Sequence, residues 1–485
     1  MRYHPEDIQN AAALLTLGDD TRNSLWHLLV STIESYLQTV ENLPVSPVLD
    51  VAQIRDFAES FTFAQPLTPE AAFRLIAAEL SKSQVHTPHP QYFGLFNPAP
   101  TTMSIAADAL VAALNPQLAA WSHSPLASEM ERHLLRSIAE KFGLPLARVD
   151  GVFTSGGAEA NQTALLAALT HRWPEMAAAG LRGLKDNPVF YASTESHHSF
   201  LKAARAAGLG TSALREVAVT DDLGIDLNAL DAAIQADRAN GRAPFLVIAT
   251  AGTTGAGAID PLDAVARLAQ EHGLWFHVDA AWGGAAALIP EMRPLLNGIE
   301  FADSITFDAH KWLSVPMGAG MFLTQHATIL QRCFATQTAY MPKESEQMQV
   351  TDPFTHSLQW SRRFIGLKLF LSLAVAGWNG YAAVIRYQTR MGDLLRKRLI
   401  EENWQILNGT PLPLVCFTDA QTDWNLAACQ RIANTVVASG HAWISTIQLG
   451  MEKRPALRAC ITNYRTEPRH IEALVTVLNH VRQSK

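Results

Sequence analysis

Two residues in this chain have types and surroundings suited to covalent chemistry on a carbonyl group. Lys311 lies in Asp-Ser-Ile-Thr-Phe-Asp-Ala-His-Lys-Trp (303–312), directly after His310. Asp279 lies 32 residues earlier (311 minus 279), in Leu-Trp-Phe-His-Val-Asp-Ala-Ala-Trp-Gly-Gly. An apolar run that ends in one Asp predicts a buried parallel strand with the carboxylate at its C-terminal tip. Open α/β sheets place their ligands at such tips. A lysine on a nearby turn can hold a carbonyl cofactor as a Schiff base. A carboxylate facing the ring nitrogen of such a cofactor would keep that nitrogen protonated, so the ring can accept electrons. Taken singly, each residue has a plainer reading: a lone Asp after a strand is usually a cap, and a lone Lys a solvated charge.

The elements that must position these residues alternate as in a parallel, doubly wound sheet. The Gly-rich turn Thr154-Ser155-Gly156-Gly157-Ala158 follows a short apolar strand and opens a helix to about His171. Small residues there let backbone N–H groups reach an anion where the helix dipole favours it. No Gly-Lys-Ser/Thr follows, so this is not a nucleotide P-loop. Strands are expected at 189–193 and 245–250, the second ending at Thr250, and a return strand at 316–322. Residues 335–356 lack apolar periodicity, and a polar loop of that length is usually functional or disordered. Ahead of the sheet, helices are expected over 5–41 and 69–82, with Thr68 capping the second and Pro44, Pro47 and Pro66 marking an extended connector. Such an arm either wraps a second subunit or lies as a lid on its own core. After an apolar helix at 367–375, the chain reads as a smaller α+β unit, with strands near 413–417 and 456–462 and a last helix from Pro468.

The whole-chain figures exclude several classes. At 485 residues, two or three domains are expected. A hydrophobic share of 48%, a charged share of 17% and a mean hydropathy of +0.04 are ordinary for a globular protein. The net charge of −7 leaves no footprint for nucleic acid or an anionic membrane. The four Cys are scattered with no paired spacing, so neither a metal site nor a disulfide framework is expected. The N-terminus lacks a signal-peptide core and no membrane-length apolar run stands out, so a cytoplasmic protein is expected.

His-Val-Asp-Ala-Ala-Trp-Gly-Gly, Phe-Ala-Asp-Ser and His-Lys-Trp together resemble the group II pyridoxal-phosphate-dependent amino acid decarboxylases, a family with aromatic, glutamate, cysteine sulfinate and diamino acid members. His-Pro-Gln-Tyr-Phe (89–93), Ser-Pro-x-x-x-Glu-Met-Glu (124–131) and Pro-Ala-Leu-Arg-Ala-Cys-Ile-Thr-Asn (455–463) extend the likeness over about residues 85–480. The resemblance implies a fold type I, aspartate aminotransferase-like α/β architecture. Its parts are an N-terminal helical arm for dimerisation (1–95), a large, mostly parallel, seven-stranded-type sheet domain that binds pyridoxal 5'-phosphate (96–365), and a smaller α+β domain (366–485). It implies a homodimer with shared active sites and decarboxylation of an amino acid to CO2 and a primary amine.

By resemblance, Lys311 carries the cofactor, Asp279 meets the ring nitrogen and His198 stacks on the ring. Gly157 and Ala158 take the phosphate, with Thr250, Ala281, Asp308 and His310 also at the cofactor. Tyr340 returns the proton to the substrate carbon. Phe93, Phe96, Asn97, Gln117 and Ala119 fall at the substrate. One departure stands out: several relatives have Asn at the Asp308 position, and a second anion beside a phosphate would repel it. Gln117 and Ala119 suit a longer or polar substrate, Phe93 and Phe96 an aromatic one. Other readings are a different reaction on the same fold, such as aminotransfer or aldehyde-forming oxidative decarboxylation, or an inactive relative.

Overall fold

Buried β-branched and aromatic runs form the centre of the molecule. The structure, a computed structural model, describes residues 13, 15–336, 348–419 and 425–483. Its main sheet has seven strands: β1 (Asp150–Thr154), β2 (Pro188–Ser193), β3 (Leu214–Val217), β4 (Ala243–Thr250), β5 (Trp275–Asp279), β6 (Ser304–Asp308) and β7 (Gly320–Thr324). Their order is β1-β7-β6-β5-β4-β2-β3. β7 is antiparallel to both neighbours, and the pairings from β6 across to β3 are parallel. β1, β2, β4, β5 and β6 therefore all end on one edge. That is the mostly parallel sheet the sequence predicts.

Every residue of β5, β6 and β7 is buried, as strands covered on both faces must be. One cover is α1 (Gly157–Arg172), which packs on β4, β5, β6 and β7. The smaller sheet is antiparallel, in the order β10 (Ser445–Leu449), β11 (Arg454–Cys460), β9 (Leu414–Asp419), β8 (Trp404–Ile406). Its core includes Phe93, which reaches in from far upstream in the chain. The backbone N–H of Phe93 donates to the Trp443 carbonyl at 2.9 Å, and its carbonyl accepts from Cys460 at 2.9 Å.

The N-terminal arm is built differently. Its helices Asp19–Thr39, Val51–Glu59 and Pro69–Lys82 contain no buried residue. The third starts where the sequence places it, with Thr68 Oγ1 accepting from Ala71 N at 3.3 Å. The second replaces the expected extended connector: the Asp50 carboxylate caps it by accepting from Ala52 and Gln53, a signal the neighbouring prolines hide. Two stretches of the arm are tied to the smaller domain. Val45 N donates to the Gly440 carbonyl at 2.7 Å, and His470 Nε2 lies 2.9 Å from Glu41.

Two boundaries differ from expectation. The return strand starts at Gly320 rather than 316, since Pro316 has no N–H to give a ladder. The helix expected at 367–375 runs from Leu367 to Glu401, broken in its course by Gly377 at φ 64°. This helix is long and apolar enough to cross a membrane. It packs on the helices Thr102–Leu114 and Pro125–Phe142 and on the smaller sheet.

Candidate active site

Neighbouring strands in register bring Thr250, Asp279 and Asp308 to one edge. Thr250 pairs with Asp279 across β4 and β5, and Asp279 with Thr306 across β5 and β6. All three tip residues are buried, at 3%, 5% and 1% exposure. A turn after β6, closed by Lys311 N on the Asp308 carbonyl at 3.3 Å, carries Lys311 back over the tips. Lys311 Nζ lies 3.3 Å from Asp308 Oδ2 and 5.5 Å from the centre of the Phe96 ring. His310 Nδ1 accepts from Ala319 N at 3.0 Å. The proton of the neutral ring is therefore on Nε2, which faces Asp308 Oδ2 at 3.7 Å. Burial holds the His310 pKa below the usual value, with Asp308 opposing.

Asp279 is fixed from both sides. Asn161 Nδ2 donates to Oδ2 at 2.8 Å and Ala281 N to Oδ1 at 3.1 Å. Asn161, one turn into α1, was not singled out as a site residue. Its sequence signal is a polar side chain on the buried face of an Ala-rich helix.

The start of α1 faces the same edge. A Cβ on Gly157 would lie 2.8 Å from Asp308 Oδ2, and one on Gly156 would lie 3.3 Å from His310 Cε1. A side chain at either position would press on Asp308 or His310, and glycine leaves the backbone N–H groups at Gly157 and Ala158 open to an anion. Asp308 Oδ1 is buried with no hydrogen-bond partner among the described residues.

Of the adjacent histidines, the structure brings His197 rather than His198 to this group. Desolvation lowers the His197 pKa, Asp279 opposes, and Lys311, His198 and Asp308 also act on it. Its Nδ1 accepts from Ser199 N at 3.2 Å, and the residue stays exposed on one side. His198 is exposed and sits at the N-cap of the helix Ser199–Ala206. Two adjacent histidines cannot be told apart by type; only the entry angle of the helix distinguishes them.

The expected substrate residues separate. Phe96 stacks on Trp282 with ring centres 4.6 Å apart, and lies under Lys311. Asn97 is half-buried beside it in the chain. Phe93 has no exposed surface and belongs to the core of the smaller domain. Gln117 Nε2 donates to Ser361 Oγ at 3.2 Å, and the Ala119 carbonyl accepts from Phe354 N at 3.0 Å. Both partners belong to the segment 352–365. Tyr340 lies outside the described residues.

The smaller domain adds a cation that sequence reasoning did not single out. Arg458, on β11 and 3% exposed, places its guanidinium carbon 5.0 Å from the centre of the Phe96 ring. Its Nε donates to the Thr254 carbonyl at 2.9 Å and Nη1 to the Gly94 carbonyl at 2.6 Å, while Nη2 is buried with no hydrogen-bond partner among the described residues. A guanidinium buried in this way calls for an anion.

These groups fit pyridoxal 5'-phosphate. Lys311 would hold its carbonyl carbon, Asp279 its ring nitrogen and His197 its ring face, with the phosphate at the start of α1. Comparison with known proteins points to the same cofactor. The chain is 32% identical over 421 residues to tryptophan decarboxylase 1 of Oryza sativa subsp. japonica, covering 82% of this chain and 80% of that one. It is 27% identical to the aromatic-L-amino-acid decarboxylase of Bacillus atrophaeus, covering 93% of each. Among solved structures, mouse CSAD superposes with a TM-score of 0.90 at 26% identity, over 96% of this chain and 100% of that chain. Oryza sativa TDC with PLP and tryptamine gives 0.90 at 26%, over 100% and 99%. Residues 65–419 match the pyridoxal-dependent decarboxylase conserved domain, and the chain belongs to that family of pyridoxal-phosphate-dependent carboxy-lyases.

Proposed function

We propose that this enzyme removes the α-carboxylate of an L-amino acid as CO2 and releases the primary amine, with Lys311 as the residue that carries the cofactor and exchanges it for substrate. The observation that carries this is the placement of Lys311 Nζ over the edge where Asp279 ends β5, beside Asp308 and Phe96. Pyridoxal 5'-phosphate, when bound, supplies the sink for the electrons of the broken bond. The protein's part is position and charge. Asp279, held by Asn161 and Ala281, meets the ring nitrogen. His197 covers one ring face and limits water there. Arg458 receives a carboxylate of the substrate on its open Nη2, with Phe96 setting the distance between that cation and Lys311. Borohydride reduction of the holoenzyme followed by peptide mapping should place the pyridoxyl group on Lys311, and Lys311→Ala should lose both the label and amine production. A label on another lysine overturns the assignment. Measuring amine and peroxide together over the common amino acids, ornithine and diaminobutyrate identifies the substrate and separates simple from oxidative decarboxylation.

The working form in this proposal is a homodimer. Three arm helices without one buried residue leave Trp26, Val30, Leu75, Ile76 and Leu80 exposed, a face that a second copy would cover. Gln117 and Ala119 then serve the partner's site rather than their own. A fully active monomer of 53.0 kDa in sedimentation would end this reading.

A further inference from the structure

Behind Asp279 a chain of polar side chains runs through the apolar interior. β5 alternates Trp275, His277 and Asp279 on one face, and β6 alternates Ser304, Thr306 and Asp308 beside them, with His277 opposite Ser304 and Asp279 opposite Thr306. α1 lays Asn161 across this row. The contacts are Trp275 Nε1 to Ser304 Oγ at 2.9 Å, Ser304 Oγ to His277 Nδ1 at 2.9 Å, and His277 Nε2 to Asn161 Oδ1 at 3.3 Å. Thr306 Oγ1 donates to the same Asn161 oxygen at 2.7 Å. Asn161 Nδ2 donates to Asp279 Oδ2 at 2.8 Å and Ser199 Oγ at 2.9 Å.

We propose that Asn161 and His277 are positioning residues for Asp279, forming a one-way relay of donors that fixes the carboxylate before any ligand arrives. The direction is forced at both ends. An indole N–H only donates and a carboxylate only accepts. With the Ser304 proton given to His277 Nδ1, the ring proton lies on Nε2; Ser304 Oγ has a second lone pair, so this is the tautomer the relay assigns, not one that the bond to Trp275 compels. Nε2–H then requires the oxygen of Asn161, which turns the amide nitrogen toward Asp279. The opposite tautomer would set a bare Nε2 against the Asn161 oxygen at 3.3 Å, unless Thr306 Oγ1, 3.4 Å from Nε2, turned its proton from Asn161 to the ring. In this arrangement each donor in the relay finds an acceptor, as a buried network needs, and Thr306 Oγ1 also lies 3.4 Å from His277 Nε2. His277 has no exposed surface, and desolvation pushes its pKa down to about 4 against the pull of Asp279. The relay stays neutral and unchanged across the ordinary working range.

The proposal rests on the decarboxylase reading for what Asp279 does, but its first test does not use the reaction. In apoprotein labelled with 15N-histidine, the His277 signal, identified by its loss in His277→Gln, should show Nδ1 unprotonated and Nε2 protonated, with no titration between about pH 5 and 9. An Nδ1–H tautomer, or a titration inside that range, overturns the relay. The second test is the dissociation constant of pyridoxal 5'-phosphate, read by tryptophan fluorescence. Removing a hydrogen bond to a charged group predicts roughly ten- to hundredfold weaker binding in Asn161→Ala and His277→Leu. Recovery is expected in His277→Gln, whose amide can still donate to Asn161. In the same variants kcat should fall while the KM for amino acid stays near the parent value. If Asn161→Ala does not fold, Thr306→Val removes one of the two donors to Asn161 and should weaken cofactor binding in the same direction. Unaltered cofactor binding in the folded variants overturns the proposal. A wild-type protein with the predicted tautomer but no decarboxylation would instead sink the functional reading and leave the relay standing.

Discussion

Neighbouring strands β5 and β6 each end in a buried aspartate, and the two carboxylates live in opposite circumstances. Asp279 receives a neutral donor on each oxygen, from Asn161 at 2.8 Å and Ala281 N at 3.1 Å. Asp308 has Lys311 Nζ 3.3 Å and His310 Nε2 3.7 Å from Oδ2, and no hydrogen-bond partner among the described residues on Oδ1. Asp279 is placed by the sheet, by α1 and by the turn that follows β5. Asp308 sits among groups whose own positions should change when a ligand takes Lys311. The first is a fixed part of the scaffold, the second a counter-charge.

If that contrast is right, Asp279→Asn should be the most damaging change at the two tips. The amide keeps the shape but presents an N–H2 group to a donor, either Asn161 Nδ2 or Ala281 N, and cannot serve a ring nitrogen as an anion. Losing a preorganised charge costs about 10²–10³ in kcat. The check is amine formation at saturating substrate, with circular dichroism to show that the fold survives. Near-parent turnover would remove Asp279 from the site. Arg458→Gln comes next. Its charge is offered to substrate rather than to the scaffold, so the loss should fall on KM, by roughly ten- to hundredfold for one charge-assisted contact. A kcat loss with unchanged KM would show that Arg458 only ties β11 to the loops carrying Gly94 and Thr254.

The same contrast explains what the sequence could tell. Apolar runs ending in Asp announce both strand tips, and the Gly-Gly turn announces the anion end of α1, because these signals are local. Asn161 escapes because its role exists only once α1 crosses β5 and β6. The alternation Trp275, His277, Asp279 is visible in the sequence, but its meaning depends on Ser304 lying opposite His277. Arg458 is 147 residues beyond Lys311 (458 minus 311) on a different sheet, so no spacing links them. Phe93 and Phe96 look alike in a short aromatic run. Only the packing shows Phe93 closing the smaller core and Phe96 lying under Lys311. His197 and His198 differ by one position, and helix entry decides which one turns inward.

Asp308→Asn should have the smallest effect, and its sign is informative. The carboxylate lies where a Cβ on Gly157 would meet it at 2.8 Å, at the helix start that would receive the cofactor phosphate. A second anion there opposes a dianion, and burial at 1% exposure leaves little solvent to screen it. Asparagine keeps an oxygen for Lys311 and gains an amide that can donate to phosphate from the position where Oδ1 has no partner among the described residues. Cofactor binding should therefore tighten, by about tenfold or less given the worth of one hydrogen bond to a charged group. Turnover should stay within about threefold, since Lys311, Asp279 and His197 are untouched and a change of that size is below 1 kcal/mol. Equilibrium dialysis of pyridoxal 5'-phosphate against parent and variant decides it. Weaker binding in the variant would mean that the Asp308 charge orients Lys311 for the cofactor more than it repels the phosphate, and the counter-charge would then be as much a part of the scaffold as Asp279.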